Sequence, residues 1–134
     1  MVKRIEHIGI LVKDLEASIN KYNTLLGLNV EERELVKVKN TSNKVAFIPV
    51  GETNIELIQT SGQIALADDF NRETDIIHHI AFEVEDLDKT IKQLRSQGVE
   101  FVFNEILEGS RGSKFVFFKQ EEFNGIYVEL VQKH

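Results

Sequence analysis

The sequence predicts an α+β fold of two tandem βαβββ modules. Three observations carry that prediction: an internal duplication, a repeated strand-to-helix boundary, and alternating apolar runs behind each helix. In the duplication, Ile5 to Ile19 (IEHIGILVKDLEASI) lies over Ile77 to Ile91 (IHHIAFEVEDLDKTI) at an offset of 72. Seven of the fifteen positions are identical: Ile5/Ile77, His7/His79, Ile8/Ile80, Val12/Val84, Asp14/Asp86, Leu15/Leu87 and Ile19/Ile91. The likeness resumes at an offset of 73, where Asn54-Ile55-Glu56-Leu57 matches Tyr127-Val128-Glu129-Leu130. The chain therefore reads as one domain, 1–134, made of a unit of roughly 65 residues used twice. Module 1 spans about 1–61, a linker about 62–75, and module 2 about 76–134.

Each module runs through the same elements. A strand of alternating residues, Ile5 to Val12 or Ile77 to Val84, leads into Asp14 or Asp86. Aspartate there suits a helix N-cap, because its carboxylate can accept from the unpaired amides of the first turn. A helix follows, with Leu15, Ile19, Tyr22, Leu25 and Leu26 at helical spacing in the first copy and Leu87, Ile91 and Leu94 in the second. Gly27 and Gly98 stand where a helix C-terminal glycine is expected. Three strand-like runs complete each unit: Val30–Lys39, Lys44–Pro49 and Thr53–Gln59, then Glu100–Glu105, Lys114–Phe118 and Gly125–Gln132. Gly51 and Gly125 mark the turns before the last strands, and Ile64 to Phe70 reads as a short linking helix.

Composition excludes several classes of function. The 134 residues include no cysteine, so a disulfide scaffold, a thiolate metal site and a cysteine nucleophile are ruled out. Sixteen basic against twenty-two acidic residues give a net charge of −6, which argues against nonspecific nucleic-acid binding. No run approaches the roughly 18 apolar residues of a membrane span, and Met1 to Glu6 lacks the pattern of a signal peptide. The expectation is a cytoplasmic globular protein.

Strand alternation sorts the polar residues. Ile8, Ile10 and Val12 form an apolar face suited to packing under the helix, which leaves His7 on the other face with Ile5, Gly9 and Leu11. The repeat puts His79 on the same face with Ile77, Ala81 and Glu83. Ile55 and Leu57, like Val128 and Leu130, face the helices, so Glu56 and Glu129 point with the two histidines. Each polar residue alone could be an ordinary exposed or satisfied side chain. Four together are different, since burying carboxylates is costly without a compensating cation. A divalent metal meets that need, and two histidines with two glutamates form a reasonable nitrogen–oxygen ligand set. Gly9 and Ala81 leave room beside the histidines, whereas His78 falls with Ile80 and Phe82 on the helix side, as a packing or supporting residue.

The segments RIEHIGILVKDLEASINKYNTLLGL, KVAFIPVGETNIELIQ and IIHHIAFEVEDLDKTIKQLRSQGV resemble the vicinal-oxygen-chelate superfamily of paired βαβββ modules. The closest resemblance is to its methylmalonyl-CoA epimerases, with the lactoylglutathione lyases (glyoxalases) next. It covers nearly the whole chain and implies a cupped mixed β-sheet with helices on its outer face. Carried over residue by residue, it implies metal ligands at His7, Glu56, His79 and Glu129. The implied ion is divalent: cobalt, nickel, zinc, manganese or magnesium. A homodimer is implied as well. One stretch departs from the epimerase pattern: Phe118-Lys119-Gln120-Glu121-Glu122-Phe123-Asn124-Gly125 lacks that family's His-Pro-Lys run and one glycine of its Gly-Gly pair.

The expected chemistry is epimerisation of methylmalonyl-CoA, or a similar acyl-CoA thioester, through a metal-stabilised enolate. Glu129 is the expected base, and Glu56 faces the opposite side of the substrate. Arg111 and Lys114, in the basic loop EGSRGSK, are expected to meet the CoA phosphates, with Lys37, Lys39 and Lys44 as further cations. The alternative is a glyoxalase-type lyase acting on a glutathione-type hemithioacetal. An extradiol-type dioxygenase fits less well, because its iron site uses two histidines and one carboxylate. A non-catalytic binding protein of the same fold would have little use for four intact ligands.

Overall fold

The computed structural model describes residues 1–61 and 73–134. The predicted linking helix, Ile64 to Phe70, lies outside the described residues.

The first half runs β1 (Val2–Leu11), α1 (Leu15–Leu26), β2 (Glu34–Val38), β3 (Thr41–Val50) and β4 (Thr53–Ser61). The second runs β5 (Ile76–Val84), α2 (Leu87–Ser96), β6 (Leu107–Glu108), β7 (Lys114–Phe117) and β8 (Val128–Gln132). All eight strands form one mixed sheet in the order β2-β3-β4-β1-β5-β8-β7-β6. Within each half the first and last strands pair in parallel, β1 with β4 and β5 with β8. The halves meet along the antiparallel β1–β5 pair.

The helix boundaries follow from the aspartates. Asp14 accepts from the Ala17 amide at 3.1 Å, and Asp86 from the Lys89 amide at 3.0 Å. The first helical amides dock on the last strand of their own half: Leu15 N–H donates to Gln59 Oε1 and Leu87 N–H to Gln132 Oε1, both at 2.8 Å. Gly27 ends α1 in the left-handed conformation, at φ 67°.

Each helix covers its half of the sheet with a separate core. Leu15 and Ile19 of α1 pack on Val12, Ala46, Ile48 and Leu57. Leu87 and Ile91 of α2 pack on Val84, Phe101, Val116, Phe118, Val128 and Leu130. Burial of each such side chain contributes about 1.5–3 kcal/mol. No described helix is long and apolar enough to cross a membrane.

Two expectations need correcting. Glu100–Glu105 is not a regular strand: Phe101 makes a lone bridge to Phe118, and the short strand comes later, at Leu107–Glu108. Alternation stops after Phe101, which joins the α2 core, since Val102 and Phe103 in succession both pack on the other side. The backbone bends away where Glu105 pairs with Lys39. The other correction concerns late starts: the first run behind α1 begins its pairing only at Glu34, and the last run of the second half only at Val128.

The edge strands β2 and β6 are drawn towards each other by reciprocal cation contacts. Lys39, at the β2–β3 turn, pairs with Glu105 and lies 5.2 Å from the Phe103 ring centre. Arg111, after β6, lies 3.9 Å from the Phe47 ring centre, and its amide donates to both Glu34 oxygens at 3.1 Å. Lys39 and Arg111 both sit at φ 55°, a left-handed conformation that suits tight turns but is costly for a residue with a Cβ. The sheet is thereby curled into a cup.

Candidate metal centre

Inside the cup lies a cavity of about 620 Å³. Its apolar wall includes Leu11, Val36, Val45, Ile58, Phe115 and Phe117, and its polar floor is made by Glu6, His7, Glu56, His78, His79 and Glu129. The strand order β4-β1-β5-β8 sets the four predicted ligands side by side as Glu56, His7, His79 and Glu129. All four are at least nine-tenths buried.

The donor atoms converge. His7 Nε2 and His79 Nε2 are 3.1 Å apart, and Glu129 Oε2 is 3.0 Å from the first and 3.1 Å from the second. Glu56 Oε1 stands 3.5 and 3.6 Å from the same two nitrogens. Such a triangle fits metal ligation. Two ligand atoms about 2.1 Å from an ion and at right angles to each other lie about 3.0 Å apart. Glu129 Oε2 is buried and, among the described residues, faces only the two imidazole nitrogens, so its negative charge calls for protons on those rings or a cation between them. His7, His79 and Glu129 form a compact group able to hold a metal ion, with Glu56 beside it.

Without an ion, the histidines themselves supply the compensating charge. Burial works against protonation of His7, but the carboxylates of Glu129 and Glu56 and the bonds to Glu129 and Glu6 raise its pKa well above 6.5. The pKa of His79 is also raised: burial opposes, and the bonds to Glu129 and Glu56 prevail. Burial pushes the Glu129 carboxyl up, but the facing imidazoles, His7 first, win and hold it at about 2. These are the shifts of a site built around positive charge.

The histidine rings are braced from both modules. Phe47, paired with Glu56 across β3–β4, meets His7 edge-on at 5.7 Å, and Phe117, paired with Glu129 across β7–β8, meets His79 edge-on at 5.1 Å. Gly9 pairs with Glu56 on one side and His79 on the other, and Ala81 with Glu129 and His7. A Cβ on Gly9 would lie 2.5 Å from His79 Nε2. Glycine here makes room for a ligand.

Alternation misplaced His78 and left Glu6 unassigned. Between the pairs Ile5–Phe82 and His7–Ala81, β1 uses one residue more than β5, and between Gly9–His79 and Ile10–Ile77, β5 uses one more than β1. These β-bulges break the alternation at Glu6 and at His78, so both line the cavity. His78 is therefore a supporting residue from the cavity side and not from the helix side. Its ring stacks on Tyr127 at 5.0 Å. Glu6 Oε1 lies 2.7 Å from His7 Nδ1, and Glu6 Oε2 accepts from Asn54 Nδ2 at 2.9 Å. The repeat offered a signal that the face argument did not use, since Glu6 and His78 are themselves 72 residues apart.

Of the two loop cations, Arg111 lines the cavity, with Nη2 3.9 Å from Glu6 Oε2. Lys114 lies exposed on β7, apart from the cavity lining. Lys39, Lys133 and His134 join Arg111 in the lining, the latter two unassigned by sequence reasoning.

Known proteins share this architecture. The profile of the Glyoxalase/Bleomycin resistance protein/Dioxygenase superfamily matches residues 6–117. An ethylmalonyl-CoA/methylmalonyl-CoA epimerase of Cereibacter sphaeroides is 32% identical over 135 residues, covering 98% of this chain and 99% of that one. The crystal structure of methylmalonyl-CoA epimerase from Mycobacterium tuberculosis superposes with a TM-score of 0.87 at 27% identity, over 99% of this chain and 89% of the other. A variant of the Streptomyces coelicolor methylmalonyl-CoA epimerase, in complex with 2-nitronate-propionyl-CoA, superposes at 0.84 and 25% identity, over 99% of each chain. With its duplicated βαβββ fold and its profile match across most of the chain, this protein belongs to the glyoxalase/bleomycin-resistance/dioxygenase superfamily, the vicinal-oxygen-chelate fold.

Proposed function

We propose that the protein is a divalent-metal-dependent epimerase of methylmalonyl-CoA or a closely similar acyl-CoA. The observation that carries this reading is the triangle of His7 Nε2, His79 Nε2 and Glu129 Oε2, with Glu56 beside it, at the floor of a cavity with an apolar wall. The epimerase relatives favour this substrate class over others in the superfamily.

His7, His79 and Glu129 would hold the ion, with Glu56 as a further ligand. The bound ion would act as a Lewis acid on the thioester carbonyl and its neighbouring carboxylate, lowering the cost of removing the proton between them. Glu129 sits within reach of anything lying on the two imidazoles and would act as the base by loosening from the ion. Glu56 comes from the other side of the histidine pair, because β4 and β8 flank β1 and β5. Taking a proton on the Glu129 side and returning one from the Glu56 side inverts the carbon between. The apolar wall takes the acyl substituent and keeps water away. Arg111 and Lys133 at the rim face the anionic parts of the substrate.

The deciding experiment is proton NMR of the cobalt-loaded protein with methylmalonyl-CoA in deuterium oxide. Metal-dependent loss of the C2 proton signal is the expected result. No exchange, with cobalt demonstrably bound, overturns the epimerase reading and turns attention to glyoxalase-type hemithioacetals.

A further inference from the structure

The two β-bulges place one polar residue behind each ligand histidine, and the two residues differ in kind. Glu6 Oε1 is 2.7 Å from His7 Nδ1, and His78 Nδ1 is 2.7 Å from His79 Nδ1. Both histidines turn Nε2 towards the cluster. A neutral imidazole that ligates through Nε2 carries its proton on Nδ1, and that proton needs an acceptor. For His7 the acceptor is a carboxylate, buried and fixed by Asn54. For His79 it is a second imidazole, itself held by stacking on Tyr127.

We infer that Glu6 and His78 are positioning residues that fix the metal-binding tautomers of His7 and His79 and make the two ligands unequal, with His7 the stronger donor. The inference rests on the metal-site reading above. Its physical basis is charge. A carboxylate accepting the Nδ1 proton pushes electron density towards Nε2, and a neutral imidazole does so less. The duplication built two equivalent ligand positions, and the residues behind them have made those positions electronically distinct. Glu6 Oε2 also lies 3.9 Å from both Arg111 Nη2 and Lys133 Nζ. The carboxylate behind His7 thus reaches the charged rim of the cavity.

The test uses the full-length protein titrated with cobalt(II), read by optical absorption for affinity and by proton NMR for the shifted exchangeable Nδ1–H signals. Wild type is expected to show two such signals, one for each ligand histidine. E6Q keeps the shape of the side chain and removes its charge. It is expected to weaken cobalt binding about 10- to 100-fold and to move one signal only. H78Q is expected to move the other signal, with a smaller loss of affinity. Wild-type affinity in E6Q with both signals unmoved overturns the inference and leaves the metal site standing. Movement of the same signal by both variants also overturns it. Absence of cobalt binding in wild type overturns the metal-site reading, and this inference with it.

Discussion

The imidazole of His79 lies over the Cα of Gly9, its cross-strand partner, so closely that a methyl group on Gly9 would overlap the ring. His79 is buried and braced by Phe117 and His78, so it has little room to give way. Gly9→Ala is therefore expected to cost about 1–3 kcal/mol of stability through overpacking. It should also weaken cobalt binding at least tenfold, because the Nε2 atom must move. Thermal melting and a cobalt titration check both; an alanine variant with wild-type affinity would show that the ring is not held where it stands here.

Removing His7 has a consequence beyond lost metal. In the metal-free protein its charge compensates Glu129 and Glu56, so His7→Ala leaves buried carboxylates less neutralised. The expected cost is about 3–5 kcal/mol near neutral pH. Adding Glu129→Gln to His7→Ala should return part of that loss, giving a non-additive double-mutant cycle in urea unfolding. Additive effects would mean that the two side chains do not neutralise each other. Alone, Glu129→Gln is expected to retain metal with reduced affinity and to lose turnover.

The stability of the metal-free protein should pass through a maximum with pH. His7 and His79 have pKa values raised above 6.5, so their contribution is full below 6.5 and fades as pH rises through the raised values. Glu129 is held at about 2 against an ordinary 4.5, so its contribution is full above 4.5 and fades as pH falls towards 2. The window of greatest stabilisation from this site is therefore about pH 4.5–6.5. Metal reverses the alkaline side, since an ion that displaces the imidazole protons binds more tightly as pH rises. Melting temperature measured against pH, with and without metal, should give diverging curves above pH 6.5. Parallel curves would contradict the ligand assignment.

Arg111 separates backbone from side-chain effects. Its φ of 55° costs a residue with a Cβ about 1–2 kcal/mol, and glycine escapes that cost. Arg111→Gly should therefore be more stable than Arg111→Ala by about 1 kcal/mol in urea unfolding. Both variants remove the guanidinium from the rim and should raise KM for an acyl-CoA several-fold, with little change in kcat. Equal stability of the two would show that the loop relaxes out of the left-handed conformation.

Much of this architecture was legible in the sequence because duplication supplies its own control. Asp14 and Asp86 cap the helices as their spacing implied, and His7, Glu56, His79 and Glu129 meet on one face as alternation implied. Alternation failed where the ladder slips. A bulge leaves no trace in hydrophobic periodicity, so His78 was assigned as if its strand were regular and Glu6 went unassigned. The same limit explains Glu100–Glu105, where the residue types are those of a strand but the backbone leaves the ladder after Phe101. Contacts that cross the cup, such as Lys39 with Glu105 and Arg111 with Glu34, depend on curvature that no local pattern encodes.

The β1–β5 seam has a kinetic corollary. It joins residues some 70 positions apart, and each module contributes one imidazole from the seam and one carboxylate from the strand beside it. On the proposed metal site, a half-chain would own only half a chelate, and high affinity would arise when the seam zips. Because such distant pairing comes late in folding, an ion has little to grip in the transition state. It should leave the folding rate almost untouched and slow unfolding, acting as a rivet driven after the plates are aligned.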